Sequence, residues 1–265
     1  MWHLRPLMKE AYFFVRGSLV LVFLCLASNA FALASGELSA NEIIYRAVER
    51  AKNNDSEQTA FAFTQKTVKE ERDARGQIKE RKERSDLVVF RNGTYFKRPT
   101  DPTVSPVAET DNDLLQDNSS KPSKRKEYLD LLTPELVNKY VFALVNQTYV
   151  NGREVYQVAF QPRGRNLPAS DLKEKIMNHA TGTLWIDAAE FELVRAQVHI
   201  NNEIPVAGLL GALKRAAFSL ERMRHESGVW FERFYRTDYE ARKLAQVKRV
   251  TTQSECANFR RINNG

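Results

Sequence analysis

Three histidines, His179, His199 and His225, one cysteine, Cys256, and the acidic pair Asp187 and Glu190 are the first places to look for chemistry beyond residue 34. The histidines are too far apart in sequence to supply an H-E-x-x-H pair one helical turn apart, and they read as scattered surface or edge-strand residues. Asp187 and Glu190 fall at a turn between two strands, where acidic residues are ordinary. A lone thiol permits neither an internal disulfide nor a cysteine-based metal cluster. Nothing beside Cys256 suggests a lowered pKa, so it reads as an inert, half-buried side chain. There is no G-x-S-x-G nucleophile elbow and no glycine-rich phosphate loop. The sequence therefore offers no catalytic residue, no metal ligand and no cofactor motif, and a non-enzymatic protein is expected.

What stands out is apolar. Ile204 to Leu213, IPVAGLLGAL, holds no charge in a chain whose residues are 28% charged. Pro205, Gly208 and Gly211 argue against a long helix, so a compact loop or a turn of helix is expected. Left exposed, Val206, Leu209, Leu210 and Leu213 would form a patch of the kind that binds something. Three uses are open: a plug that completes a core, a lid over an apolar cavity with glycines as hinges, or a membrane-inserting tip.

The elements around it are mostly strands. Ser39 and Glu42 have capping-box spacing, and Ile44, Ala47, Val48 and Ala51 follow at helical period, with the helix fading at Asn53 and Asn54. From Thr59 the period changes to two. Asp73 to Gly76 reads as a hairpin turn, and seven bases and six acids between Lys69 and Asp86 describe a solvated ribbon. Charge of both signs without stacking aromatics excludes a nucleic-acid surface. Residues 98–126 are rich in Pro, Asp, Ser and Asn and are expected to form a long polar loop, followed by a short helical stretch at Tyr128, Leu131 and Leu132. Thr133 and Pro134 then start another short helix. Beyond it, Asn151-Gly152 and Ser227-Gly228 close hairpins. Val194, Ala196, Val198 and Ile200 alternate with polar residues, as in an antiparallel sheet with one wet face. Strands are expected over 245–252 and 257–262, making nine to eleven in all.

At the N-terminus, Arg5, Lys9 and Arg16 precede the apolar run Leu19 to Ala27 and then Ala32, Leu33, Ala34 and Ser35. This has the three parts of a secretory signal peptide over residues 1–34, and the run is well short of the roughly 20 residues of a membrane span. Export to the periplasm is expected, leaving one domain over 35–265 with 37 Lys and Arg against 32 Asp and Glu.

The order of elements resembles the LolA/LolB-like superfamily, and in particular bacterial outer-membrane lipoprotein-sorting proteins. The resemblance is carried by the helix Asn41 to Ala51 entering Phe63, Thr64 and Gln65, and by Asn151, Gly152 and Arg153 closing a hairpin. It continues in the run Gly182, Thr183, Leu184, Trp185, Ile186, Asp187 and in the pattern from Gly208 through Phe218 to Trp230. It implies a mainly β (α+β) fold: an incomplete antiparallel β-barrel of about nine to eleven strands, with helices and loops over its concave face and an apolar cavity for acyl chains. After Arg98 and Pro99 the chain departs from the family's arginine-bearing segment, so no arginine is carried over. The expected ligand-binding residues are Phe61, Phe63, Phe142, Trp185, Val198, Leu209, Leu210, Leu213 and Phe218. The expected partner is a lipid or an acylated lipoprotein bound by a monomer. The alternatives are an envelope sensor acting through a protein partner and a structural protein with a filled core.

Overall fold

The computed structural model describes residues 38–262 apart from 92–93, 102–120, 124–131, 133, 165–166, 207–210 and 245. The expected signal peptide, the helical stretch expected from Tyr128 to Leu131, most of the segment expected to be a long polar loop, and Leu209 and Leu210 lie outside the described residues.

Ser39 starts α1 (Ala40–Gln58), its Oγ accepting from the Glu42 N–H at 3.2 Å. The helix does not fade at Asn53; it runs one turn further, because Asn54 and Gln58 find buried partners described below. Ile43, Ile44, Ala47 and Val48 are buried, and α1 packs on β5 (Tyr140–Val150), β7 (Thr181–Asp187) and β11 (Trp230–Lys243). Two short helices, α2 (Pro134–Lys139) and α3 (Leu172–Met177), complete the helical part. Pro134 opens α2, where its missing N–H is no loss, and Asp171 caps α3.

The remaining strands are β1 (Phe61–Arg72), β2 (Ile78–Arg91), β3 (Thr94–Pro99), β4 (Lys121–Ser123), β6 (Arg153–Pro162), β8 (Leu193–Ile200), β9 (Ile204–Val206), β10 (Gly211–Arg224) and β12 (Gln246–Arg261). They form one antiparallel sheet in the order β4-β3-β2-β1-β12-β11-β10-β8-β7-β6-β5, with β9 paired to β10 alone. The sheet is an open half-barrel: β4 and β5 end the path and do not pair with each other.

Among the described residues the path holds eleven strands, within the expected nine to eleven, and β9 is a further strand off it; β4 and β9, three residues each, are too short to show a period. β4 falls within the segment expected to be loop, where it pairs with β3. The two strands expected over 245–262 are one continuous strand. Ser254 is buried within it, donating to the Tyr235 hydroxyl at 2.7 Å and meeting Thr67 Oγ1 at 2.7 Å, and Asn258 (φ 56°) marks an irregularity opposite Phe63.

Register defines the faces. Val158, Leu184, Ala196, Leu220, Tyr235 and Ser254 stand in line across six strands and are all fully buried. Their neighbours on the other face, Gln157, Trp185, Arg195, Glu221 and Phe234, stay partly accessible. The covered side is therefore the one carrying Leu184 and Tyr235, and the other meets water, as the alternation in β8 requires.

Candidate functional site

The helix is held to the sheet at Trp230. Pairing between β11 and β12 stops at Phe234 and Glu255, so the Trp230 end of β11 has no β12 partner. Side chains of α1 replace it. Asn54 Nδ2 donates to the Trp230 carbonyl at 2.9 Å while Asn54 Oδ1 accepts from the Trp230 N–H at 2.8 Å. Gln58, one turn on, donates to the same carbonyl at 2.5 Å, and Arg222 Nη2 does so at 3.1 Å. Asn54 and Gln58 extend the stripe of the buried Ala47 and the half-buried Ala51 by one heptad step. Polar residues on an apolar stripe were the one sequence signal that could have revealed them.

Charges surround this anchor. Glu192 has no exposed surface and sits between Arg222 at 2.9 Å and Arg50 at 3.1 Å. Asp187 and Glu190 occupy the β7–β8 turn as expected, but they also carry structure. Asp187 takes two bonds from Arg153, at 2.6 and 3.0 Å, and caps the turn through the N–H groups of Ala189 and Glu190. Burial pushes the Asp187 carboxyl up, yet the Arg153 guanidinium and the turn N–H groups outweigh it and hold the pKa below the usual 3.8. Glu190 accepts from Arg224 at 2.7 Å, Arg153 at 3.1 Å and the Trp230 indole N–H at 2.9 Å. Arg153 also lies 5.4 Å from the centroid of the Trp230 ring.

Beside the anchor is a cavity of about 400 Å³. Arg50, Arg224 and Arg261 line it together with Glu57 and Glu190, and Ala60, Phe61 and Val229 give it an apolar wall. Phe61 is buried against Phe231 and His225 at ring separations of 4.9 and 5.5 Å. The aromatic run continues from Phe231 to Phe259 and on to Phe63, at 4.3 and 5.3 Å.

The structure divides the expected ligand-binding residues. Phe142, Val198 and Phe218 share one register line on the covered side, with Phe160 and Gly182 between them. Val198 is buried, whereas Phe142 and Phe218 are half-buried. Phe61 and Phe63 belong to the aromatic run at the other end of the strands. Trp185 points to the opposite face from Leu184 and packs with Val150, Val155, Val194 and Trp230, with Arg195 5.8 Å from its ring centroid. Leu213 is half-buried and pairs with Ile204. The apolar stretch is thus a strand hairpin, β9 and β10, and not a turn of helix; Pro205 takes part in it, opposite Ala212. Its Ile204 and Ala212 are buried, and the tip, 207–210, lies outside the described residues.

The histidines stay on separate elements: His179 just after α3, His199 exposed on β8, and His225 in the β10–β11 turn with Nδ1 2.8 Å from Ser227 Oγ. Among the described residues no three His, Cys, Asp or Glu side chains are placed to hold a metal ion. Cys256 is buried, with Gln65 Nε2 3.7 Å from its sulfur.

The sheet is similar to those of solved LolA-superfamily proteins. No family model matches the chain, and no curated protein matches it in sequence. An outer membrane lipoprotein-sorting protein domain from Vibrio parahaemolyticus superposes with a TM-score of 0.40 at 11% identity, covering 84% of this chain and 94% of that one. A LolA superfamily protein from Nitrosomonas europaea covers 86% and 95% at 11% identity and a TM-score of 0.30. MucB in complex with periplasmic MucA covers 84% and 99% at 12% identity and a TM-score of 0.25. Superpositions this loose transfer no binding property, and the functional reading rests on this chain's own residues.

Proposed function

We propose that the protein is an exported, non-enzymatic binding protein of the periplasm that holds a lipid or a lipoprotein acyl chain on the covered side of the half-barrel. The observation that carries this is the line Phe142, Phe160, Val198 and Phe218. It runs beside a fully buried row and is itself only partly filled, Phe142 and Phe218 keeping accessible surface. Four interstrand steps of about 4.8 Å make it about 19 Å long, comparable to an extended long acyl group. Each methylene moved from water onto such a surface contributes about 0.8 kcal/mol, so a few suffice to offset the opening of a small apolar loop. Leu213, together with Leu209 and Leu210 outside the described residues, is proposed as a further ligand contact.

Native mass spectrometry of the protein purified from a bacterial periplasm, with lipid extraction of the same sample, tests it. A lipid-sized adduct that Phe218→Asp abolishes is the expected result. A clean apo mass that stays clean after incubation with phospholipid or acylated peptide would overturn it and leave a filled core or a protein contact. The same spectra place the mature N-terminus, expected at Ser35.

A second reading, contact with an envelope protein, is favoured by β5. It ends the sheet path, and Val141, Val145 and Tyr149 on it are 45, 55 and 70% exposed. A free edge with large apolar side chains is a template for another strand. Co-purification of one protein, lost on Val145→Lys while the lipid adduct persists, would select this reading.

A further inference from the structure

We infer that the cavity between the end of α1 and the β10–β11 turn binds the anionic group of a small amphiphile, a carboxylate or a phosphate, through Arg261 and Arg224. This does not depend on an acyl chain lying along the Phe142 to Phe218 line, which is a different region of the molecule.

The charge balance points to an anion. Three arginines line the cavity against two carboxylates, and those carboxylates are already engaged. Glu190 is shared by Arg153, Arg224 and the Trp230 indole, and Glu57 faces Arg50 at 3.7 Å. Arg50 is further held by the buried Glu192. Among the described residues, the side chain of Arg261, exposed on β12, has neither an ion-pair nor a hydrogen-bond partner, and it lines the same cavity. A guanidinium presents a planar fork of donors that matches a carboxylate or phosphate. Arg224 is fixed through its Nε by Glu190, which leaves its terminal nitrogens toward Gly228, where a β-carbon would come within 3.4 Å of Nη2.

Ser56 and Glu57 belong to the last turn of α1, whose carbonyl end repels an anion. The anion therefore sits on the Arg224 and Arg261 side. Ala60, Phe61 and Val229 line the same cavity, and they offer the attached apolar group a surface that a bare inorganic ion would not use. A volume of about 400 Å³ lies in the range of small-molecule sites.

Isothermal titration calorimetry of the exported protein at low ionic strength, with octanoate, octyl phosphate, inorganic phosphate and neutral octyl glucoside, tests the assignment. Octanoate and octyl phosphate are expected to bind at least tenfold more weakly in Arg261→Gln, whereas any binding of octyl glucoside, which lacks the anionic group, is expected to be the same in wild type and Arg261→Gln. Inorganic phosphate matching octyl phosphate, and equally sensitive to Arg261→Gln, would retain the anion site and overturn the part given to the apolar wall. Trp230 emission supplies a second readout, because Glu190 holds its indole N–H at the cavity wall. Absence of binding by every anion, or binding insensitive to Arg261→Gln in a variant with unchanged circular dichroism, would overturn the inference.

Discussion

Asn54 satisfies both backbone groups of Trp230, a residue 176 positions away, with one side-chain amide: 2.9 Å to the carbonyl and 2.8 Å from the N–H. The Trp230 carbonyl keeps Gln58 and Arg222 if Asn54 is lost, but the N–H on that edge has no substitute. A buried donor left unsatisfied costs about 1–3 kcal/mol. Asn54→Ala should therefore lower the unfolding free energy by about 2 kcal/mol, read as a lower urea midpoint at unchanged slope. Asn54→Asp keeps the acceptor and should fall between the two. Equal midpoints for wild type and Asn54→Ala would mean that α1 is held by its apolar stripe alone.

Glu192 makes a sharper case, because both its charge and those it neutralises are out of water. Its side chain is fully buried and that of Arg222 is 7% exposed. Removing one partner of such a pair leaves an uncompensated buried charge, a loss of about 3–5 kcal/mol. Glu192→Leu should reach that range. Adding Arg222→Met should recover part of it, since apolar replacement of both partners removes the stranded charge. Arg50→Met should do less harm than Glu192→Leu, as Arg50 is 27% exposed and can turn to solvent. Thermal unfolding of these three variants and the wild type decides the order.

These two sets of contacts also mark where the sequence stops being legible. The amphipathic stripe of α1, its Ser39 cap, the Asn151-Gly152 and Ser227-Gly228 hairpins and the polar–apolar alternation of β8 are local patterns, and each corresponds to an element of the structure. The last turn of α1 depends on a backbone edge more than 170 residues away, for which no local period exists. Ser254 reads as a break in β12 until Tyr235 and Thr67, from the two neighbouring strands, supply its hydrogen bonds. Side-chain period also placed Phe142, Val198 and Phe218 on strands but left open which side each would face. Pairing register settles that, and it separates Trp185 from them.

Asp187 ties stability to pH. Its folded pKa lies below 3.8 because Arg153 and the turn N–H groups outweigh burial. A depressed carboxylate pKa contributes stability that is present above the unfolded value of about 3.9 and is lost as pH falls through the folded value. The protein should therefore lose stability steadily below about pH 4. Arg153→Gln should lower stability at neutral pH and flatten that acid limb. Urea midpoints measured between pH 2 and 7 test it, and parallel acid limbs for the two proteins would remove Asp187 from the account.

Gly182 sets how closely β7 and β8 can approach on the line that joins Phe142 to Phe218. A β-carbon there would stand 2.0 Å from the Gln197 backbone oxygen and 2.9 Å from Phe160 Cε1. The ring can swing away, but the carbonyl belongs to the neighbouring strand and moves only if the ladder opens. Overpacking of this kind costs about 1–3 kcal/mol or more, and Gly182→Ala should sit at the upper end or fail to accumulate. Phe160→Leu in the same chain should not restore it, because the tighter clash is with backbone. If it does restore the urea midpoint, the ring contact is the reason glycine is needed. The line of aromatic side chains proposed to hold the ligand would then be able to tolerate a change in strand spacing that the register in this structure forbids.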